Sequence, residues 1–559
     1  MQRPIDVNAT QWQAVTHTAQ NLLIVAGPGT GKTHTLIYRI LYAFESLSDD
    51  KRILAVTFTN KSAQEMRTRL ARYLPSSAQR VDVGTFHSFC LSLLREHTRK
   101  AKLPEGFRVA GRNETVQIAK KIWRGKKVKE IEEILKSISW QKNTQEGEMS
   151  SRAVTLWEAM RQEKLLDFDD ILFDAVQLLR DNGEIRAQMQ AQYSCICVDE
   201  YQDINFIQHQ LLKFLKGSQC ALTAIGDPRQ AIYGFRGSDV KFFHSFTEDF
   251  APARTLSLSD NYRASENLLK AAGQVIERSS TVNFTPLVAR IHAQGRLTVY
   301  QAASERAEAE YIVHEIEKLI GGTSFFSKDS KRVGVCEAEG FTFADTAILC
   351  RLKSQQRVII EALERSGIPY QVCGARPLFE EPEIADMIEA LCAMSEQPLE
   401  KITQYLSIRK NDSKAYARLV ELAQGAADTP QFLSEIFLQR EDDNYEVKAE
   451  KVSVLTMHAA KGLEFAVVFI AGCEENIIPL SQDLAGLEEE RRLFYVAMTR
   501  AKTLLYLTRT AQRLRHGKIR AAQTSRFLAD IEDQLKDLQQ RPARKPTDKH
   551  SQLDFFGKR

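Results

Sequence analysis

The stretch NLLIVAGPGTGKTHTLIYRILYAF, residues 21 to 44, constrains this chain more than any other. A short apolar run leads into a glycine-rich turn, and the turn opens a run with helical periodicity. Strand, turn and helix in that order form the unit from which parallel sheets are wound, so the expected fold class is α/β. The turn itself, Gly27-Pro28-Gly29-Thr30-Gly31-Lys32-Thr33, suits phosphate. Successive backbone N–H groups at a helix N-terminus make an anion nest, and glycines let that backbone come close. Lys32 is placed to reach the β- and γ-phosphates of ATP, and the Thr33 hydroxyl to ligate Mg²⁺. A glycine turn that binds nothing is the competing reading, and the strand and helix on either side weigh against it.

Phosphoryl transfer needs a second metal-organising group on a neighbouring strand. SCICVDEYQD, residues 194 to 203, supplies an apolar strand that ends in Asp199-Glu200. Asp199 suits the metal, and Glu200 suits activation of the attacking water. Paired carboxylates alone are common on surface loops, so they inform only together with the phosphate loop. The LSGGQ-type signature of ABC transporter ATPases and the NKxD of guanine-reading GTPases are both missing from the sequence.

At 559 residues the chain exceeds what one core can organise, and three or four domains are expected. Hydrophobic and charged fractions of 43% and 26% are ordinary for a soluble protein. The net charge of +4 announces no polyanion partner, although a basic face can hide in balanced totals. MQRPIDVNATQWQ has no signal-type apolar core, and no run of 18 apolar residues follows, so a cytoplasmic location without membrane is expected. Nine cysteines lack metal-ligand spacing, and Cys195 and Cys197 alternate on the strand before Asp199, as core thiols do.

Nine collinear blocks then resemble the superfamily 1 helicases of UvrD/Rep/PcrA type. They are VNATQWQAV, the phosphate loop, TFTNKSAQEM (57–66), GTFHSFC (84–90), VDEYQD, IGDPRQAIYGFRGSD (225–239), NYRAS (261–265), LTMHAAKGLEFAVVFIAG (455–472) and EEERRLFYVAMTRAK (488–502). The resemblance implies two RecA-like parallel-sheet motor lobes, a helical insertion in the first and a much reduced one in the second. It implies that Gln11 reads the adenine and Tyr262 stacks on it, with Ala26 and His34 flanking the nucleotide loop. Glu464 would hold the ribose, Gln230 would sense the γ-phosphate, and Arg263 and Arg500 would be arginine fingers. Single-stranded DNA and its junctions with duplex would be the partner, with movement 3′ to 5′ and a place in repair or replication. A translocase that remodels protein–DNA complexes with little unwinding is the alternative.

Phe58, Asn60, His87, Tyr233, Phe235 and Arg236 lie in the blocks that line the strand in that family. Any one of the aromatics is by itself as readily core as platform. Tyr233 and Phe235 are expected to share strand parity, with Arg236 facing elsewhere. The family usually carries Trp where Phe235 stands, and often an arginine where His34 stands.

The implied division is residues 1–90 and 190–259 for the first lobe, with the insertion at 91–189. Residues 260–395 and 448–535 make the second lobe around a short insertion at 396–447. That short insertion is expected to lie away from both lobes and the DNA track. LLYLTRTAQRLRHGKIRAAQTSRFL (504–528) reads as strand, turn, strand and helix. It is either the duplex-splitting pin, with His516 at its tip, or a hairpin that only closes the sheet. Residues 536–559 read as a flexible tail. Its end, Gln552-Leu553-Asp554-Phe555-Phe556, resembles the pentapeptide by which bacterial proteins bind the sliding clamp; self-docking or no role is the alternative.

Overall fold

The computed structural model describes residues 2–75, 78–145, 149–280, 286–291, 294–321, 340–373, 378–439, 449–515 and 517–540. Six strands form the first sheet: β1 (Asn21–Ala26), β2 (Arg52–Thr57), β3 (Val81–Thr85), β4 (Tyr193–Val198), β5 (Ala221–Gly226) and β6 (Ala253–Leu258). Their order is β3-β2-β4-β5-β1-β6, all parallel. Near-continuous apolar runs such as LLIVA and CICV mark strands buried on both faces, as a parallel sheet with helices on each side requires. Side-chain parity divides them. Leu22, Ile24, Ile53, Cys195 and Cys197 enter one core, while Leu23, Leu54, Val56, Ile196 and Val198 enter the other. The Cys195 and Cys197 sulfurs sit buried, 3.8 Å apart, as core thiols.

The second sheet repeats the plan with seven parallel strands. These are β7 (Arg296–Ala302), β8 (Thr346–Cys350), β9 (Tyr370–Cys373), β10 (Val452–Thr456), β11 (Phe465–Ala471), β12 (Ala501–Thr510) and β13 (Asp537–Gln540). The order is β9-β10-β8-β11-β12-β7-β13. The fold is α/β with two RecA-like lobes. Each sheet presents the carboxyl ends of its strands as a place for ligands.

Both insertions differ from their expected form. The first has its own small core, built from residues such as Ile118, Ile131, Ile138, Leu156 and Met160. Helices Phe168–Asp181 and Gly183–Gln192 belong instead to the core of the first sheet, because Ile171, Ala175, Leu178, Leu179 and Ile185 pack there. A charged network ties the two parts. Lys142, 1% exposed, donates to Asp167 at 2.5 Å and Asp170 at 2.6 Å.

The second insertion, residues 396–447, holds helices Leu399–Ile408, Lys414–Gly425 and Thr429–Leu438, and helix Ala385–Ala393 just before it packs in the same core. They do not stand apart from the lobes. Leu391, Ile402, Leu419, Phe432, Leu433 and Ile436 share one continuous core with Leu103, Phe107 and Val109 of the first lobe's side. Polar bonds fix the seat. The Val109 N–H donates to Ser434 Oγ at 3.1 Å, and Arg95 donates to the Pro430 carbonyl at 3.2 Å.

After β12 an antiparallel hairpin pairs Gln512–Arg515 with Lys518–Ala521. Arg513 is buried and anchors its base between Glu308 (2.5 Å) and Glu474 (2.9 Å). The cross-strand pair Leu514 and Ile519 is exposed. His516 lies outside the described residues, as do residues 322–339 and the tail from 541 onward. No helix among the described residues is long and apolar enough to cross a membrane.

Candidate nucleotide and nucleic-acid sites

The phosphate loop leaves the carboxyl end of β1 and enters helix Lys32–Glu45 through Gly31, whose φ of 80° is left-handed. Gly29 also has positive φ, 69°. A side chain there would meet Asn261 Nδ2 at 2.5 Å and Arg263 Cβ at 2.6 Å. Glycine is therefore required twice over, for backbone angle and for the close approach of the segment that follows β6. That segment is bonded to the loop itself. Asn261 Nδ2 donates to the Pro28 carbonyl (2.6 Å), and the Tyr262 N–H donates to the Gly29 carbonyl (2.8 Å). Within the loop the buried Thr30 hydroxyl donates to the Gly27 carbonyl at 2.9 Å, which fixes the turn.

Gln11 is buried against the same loop. Its amide donates to the Thr30 carbonyl at 3.0 Å, while its oxygen accepts the Asn8 N–H at 2.9 Å. It caps its own helix and braces the loop at once, with one amide hydrogen left for a base edge. Tyr262 is 47% exposed, and its hydroxyl accepts from Asn8 Nδ2 at 2.7 Å, so its ring is open to stacking. His34, which follows Thr33, has Nε2 3.2 Å from the Asp6 carbonyl and its ring edge-on to Tyr38. Asp6 holds it where the family often carries an arginine.

Asp199 and Glu200 follow β4, two strands from β1. Glu200 takes a left-handed backbone (φ 52°), a conformation costly for a non-glycine residue and common at functional sites. Its carboxylate lies 3.4 Å from Lys32 Nζ and accepts from Gln202 Nε2 at 2.5 Å. Burial and the neighbouring Glu200 charge push the Asp199 carboxyl up to about 7. Burial acts on Glu200 too, but Lys32 and Lys461 outweigh it and bring that carboxyl down to about 2. A buried carboxyl raised in this way is one that gains from a nearby cation, which fits a metal beside Asp199 and Thr33.

From the other lobe come Arg263, Glu464 and Arg500. Arg263 Nε donates to Glu464 at 2.6 Å, and Lys502 pairs with the same carboxylate at 2.8 Å. Arg500 is 1% exposed and donates to the Val496 carbonyl (2.8 Å), the Leu463 carbonyl (3.1 Å), Thr499 Oγ1 (3.1 Å) and Gln230 Oε1 (3.3 Å). Among the described residues no carboxylate comes within 4 Å of it. Burial, followed by repulsion from Arg263, lowers its guanidinium to about 9. The Glu200 and Glu464 charges attract it from farther away without offsetting that penalty. Gln230 bridges the lobes, since its amide also donates to Asp227 at 2.9 Å and its carbonyl accepts Lys461 at 2.7 Å. Sequence reading missed Gln202, Asp203, Asp227 and Lys461. Lys461 of the second lobe pairs with Asp203 of the first, and both stand inside the quoted blocks.

The DNA candidates converge on a cavity of about 920 Å³. Phe58, His87, Tyr233, Phe235 and Arg236 line it; Asn60 does not, its amide donating to the Leu438 carbonyl at 3.0 Å. Strand parity fails for the central group. Gly234–Arg236 is a single 3₁₀ turn, so Tyr233 turns inward and Phe235 outward. Tyr233 is buried, stacked on Phe58 at 4.9 Å, with Lys461 5.0 Å from its ring. His87 is buried and stacked on Phe168 at 3.8 Å. Of these rings Phe235 is the exposed one, at 59%. Arg236 does not face elsewhere, for its guanidinium sits 5.3 Å from the Tyr233 ring and 5.5 Å from the Phe235 ring. His458, edge-on to Phe235 at 5.5 Å, joins the wall; burial and then Arg351, Arg236 and Lys461 lower it to about 3, so it stays neutral. Phe379, with Phe437 and Gln439 of the second insertion, completes one side.

A phosphate loop facing arginines of a second lobe, above a cavity walled by aromatic rings, defines a two-lobed P-loop ATPase that acts on nucleic acid. Residues 7–251 match the UvrD/REP helicase N-terminal domain, and residues 256–407 and 393–512 match the UvrD-like helicase C-terminal domain. The chain belongs to this family of ATP-dependent DNA helicases. It is 29% identical to the ATP-dependent DNA helicase PcrA of Staphylococcus epidermidis over 655 residues, which takes in 95% of this chain and 87% of that one. It is 28% identical to the PcrA of Staphylococcus aureus over 652 residues, 95% of this chain and 86% of that one.

Proposed function

We propose that this chain hydrolyses ATP to move 3′ to 5′ along single-stranded DNA and opens junctions of single strand with duplex, in repair or replication within the cytoplasm. The observation that carries the reading is Arg500: a buried second-lobe guanidinium without a carboxylate, joined through Gln230 to the first lobe. Lys32 holds the phosphates, Glu200 orients the attacking water, and Arg263 and Arg500 stabilise charge on the transferring phosphoryl group. Thr33 and Asp199 would hold Mg²⁺, which supplies charge neutralisation between the phosphates. Gln11 and Tyr262 take the adenine, and Glu464 the ribose. A finger from the second lobe makes hydrolysis depend on how the lobes sit, so each turnover can shift one lobe along the strand. The division into two interrupted lobes, two insertions and a tail given above is the working domain map.

The alternative, a translocase that displaces proteins with little unwinding, is favoured by one observation. The short second insertion is seated on the first lobe's side rather than standing free to grip duplex. ATPase rates with and without oligothymidylate, beside strand displacement on 3′- and 5′-tailed duplexes, separate the readings. No stimulation by single strands would sink both. Stimulation and translocation without displacement would leave the second, and displacement only from the 5′ tail would reverse the polarity. Residues 552–556 are proposed to bind a sliding clamp.

A further inference from the structure

A glutamate side chain rotates freely at several bonds, so a carboxylate that must aim a water molecule needs something to hold it. In DEYQD the residue able to do so stands two places on, at Gln202. Tyr201–Asp203 is one 3₁₀ turn, closed by the Asp203 N–H on the Glu200 carbonyl at 3.0 Å. The turn folds the Gln202 side chain back toward the carboxylate it follows, and the residue is 1% exposed.

Hydrogen-bond chemistry dictates which way that amide points. Its oxygen accepts the backbone N–H of Asp227 at 2.9 Å. Its nitrogen donates to Glu200 Oε2 at 2.5 Å and to Asp203 Oδ2 at 3.1 Å. A backbone N–H only donates and an ionised carboxylate only accepts, so the reversed amide would set its oxygen against both acids. Each anchor is itself fixed. Asp203 pairs with Lys461 of the second lobe, and Asp227 holds the Gln230 amide on its carboxylate at 2.9 Å. The other Glu200 oxygen faces Lys32 Nζ at 3.4 Å, which sets the carboxylate between lysine and amide. Room for the amide comes from Gly226, the last residue of β5, where any side chain would collide with Gln202 Oε1.

We propose that Gln202 is a positioning residue for ATP hydrolysis, its amide holding the Glu200 carboxylate at the setting from which it acts on the attacking water. This rests on the reading of Glu200 given above and adds the group that keeps Glu200 in place. Asparagine at 202 is one methylene too short to span from Asp227 to Glu200. A side chain at 226 pushes the amide away from the other side.

Steady-state ATPase of the full chain with saturating oligothymidylate tests this. Gln202→Asn and Gly226→Ala should each lower kcat by about 10- to 150-fold, the range for one hydrogen bond to a charged group, with the KM for ATP within about 2-fold. The second readout is the same substitution in a Glu200→Asp background, where the shorter carboxylate falls out of the amide's reach. There Gln202→Asn should cost less than about 2-fold. An equal loss in both backgrounds would make Gln202 a structural residue and overturn the proposal. Wild-type kcat in Gln202→Asn, or a loss confined to KM, would overturn it too and leave the motor reading standing. If the unaltered chain hydrolyses no ATP, the motor reading falls and the proposal with it.

Discussion

Arg500 and Lys142 are both buried cations, and their surroundings assign them opposite work. Lys142 is met by two carboxylates and therefore holds structure. Removing it takes the near cation from the buried Asp167 and leaves Asp170 with Arg161 at 3.6 Å, so Lys142→Ala should cost about 3–5 kcal/mol in urea unfolding. A loss under 1 kcal/mol would mean the carboxylates rehydrate or share a proton. Among the described residues Arg500 is met by neutral oxygens, which suits the proposed role of a finger for the phosphoryl group. Arg500→Ala should lower hydrolysis by about 10³-fold while nucleotide still binds. Collapse of affinity with preserved turnover per bound ATP would make it an anchor. Lys32→Ala should abolish turnover, and Glu200→Gln should leave ATP bound but uncleaved; near-normal DNA-stimulated ATPase in either would remove that residue from the engine.

At the scale of elements, the second insertion shows where sequence reading stops. Helices Lys414–Gly425 and Thr429–Leu438 announce an apolar face through Leu419, Leu422, Phe432, Leu433 and Ile436. Periodicity says that such a face is covered and cannot say by what. The expectation that the insertion lies away from the lobes came from chain position, and its packing differs from it. The engine was legible because its chemistry is local: a strand, three glycines, a lysine and two carboxylates carry the phosphate site within short stretches. Of the candidate track residues, all but Asn60 and His516 were legible as neighbours around one cavity, but their geometry was not. Strand parity was assumed for Tyr233 and Phe235, whereas the intervening Gly234 and the left-handed Gly237 (φ 82°) close a 3₁₀ turn. Because Phe432 lies wholly inside the shared core, Phe432→Ala should cost about 3–5 kcal/mol. Hydrogen exchange should locate the loss in helix Phe86–Glu96 and residues 103–109 as well as in the insertion. Loosening confined to residues 385–438 would show that the insertion is only perched there.

On the scale of the whole molecule, the described residues form two RecA-like lobes, and the sequence after β13 lies outside them. The stretch RPARKPTDKHS, residues 541 to 551, lies outside the described residues and has the composition of a tether: proline, charge and small polar groups. Apolar residues beyond such a tether cannot return to the lobes without ordering it, which costs conformational entropy. Offering Leu553, Phe555 and Phe556 to a partner avoids that cost until binding. A short peptide that orders on binding holds modestly, as suits a motor tethered near its DNA and then released. A peptide of residues 548–559 should therefore bind the cognate sliding clamp at about micromolar strength, on the order of −8 kcal/mol. Leu553→Ala with Phe556→Ala in the full chain should remove clamp binding in titration calorimetry and leave DNA-stimulated ATPase unchanged. Equal clamp affinity in the intact protein and the double variant would end the clamp reading, and a changed ATPase would instead place the tail against its own lobes.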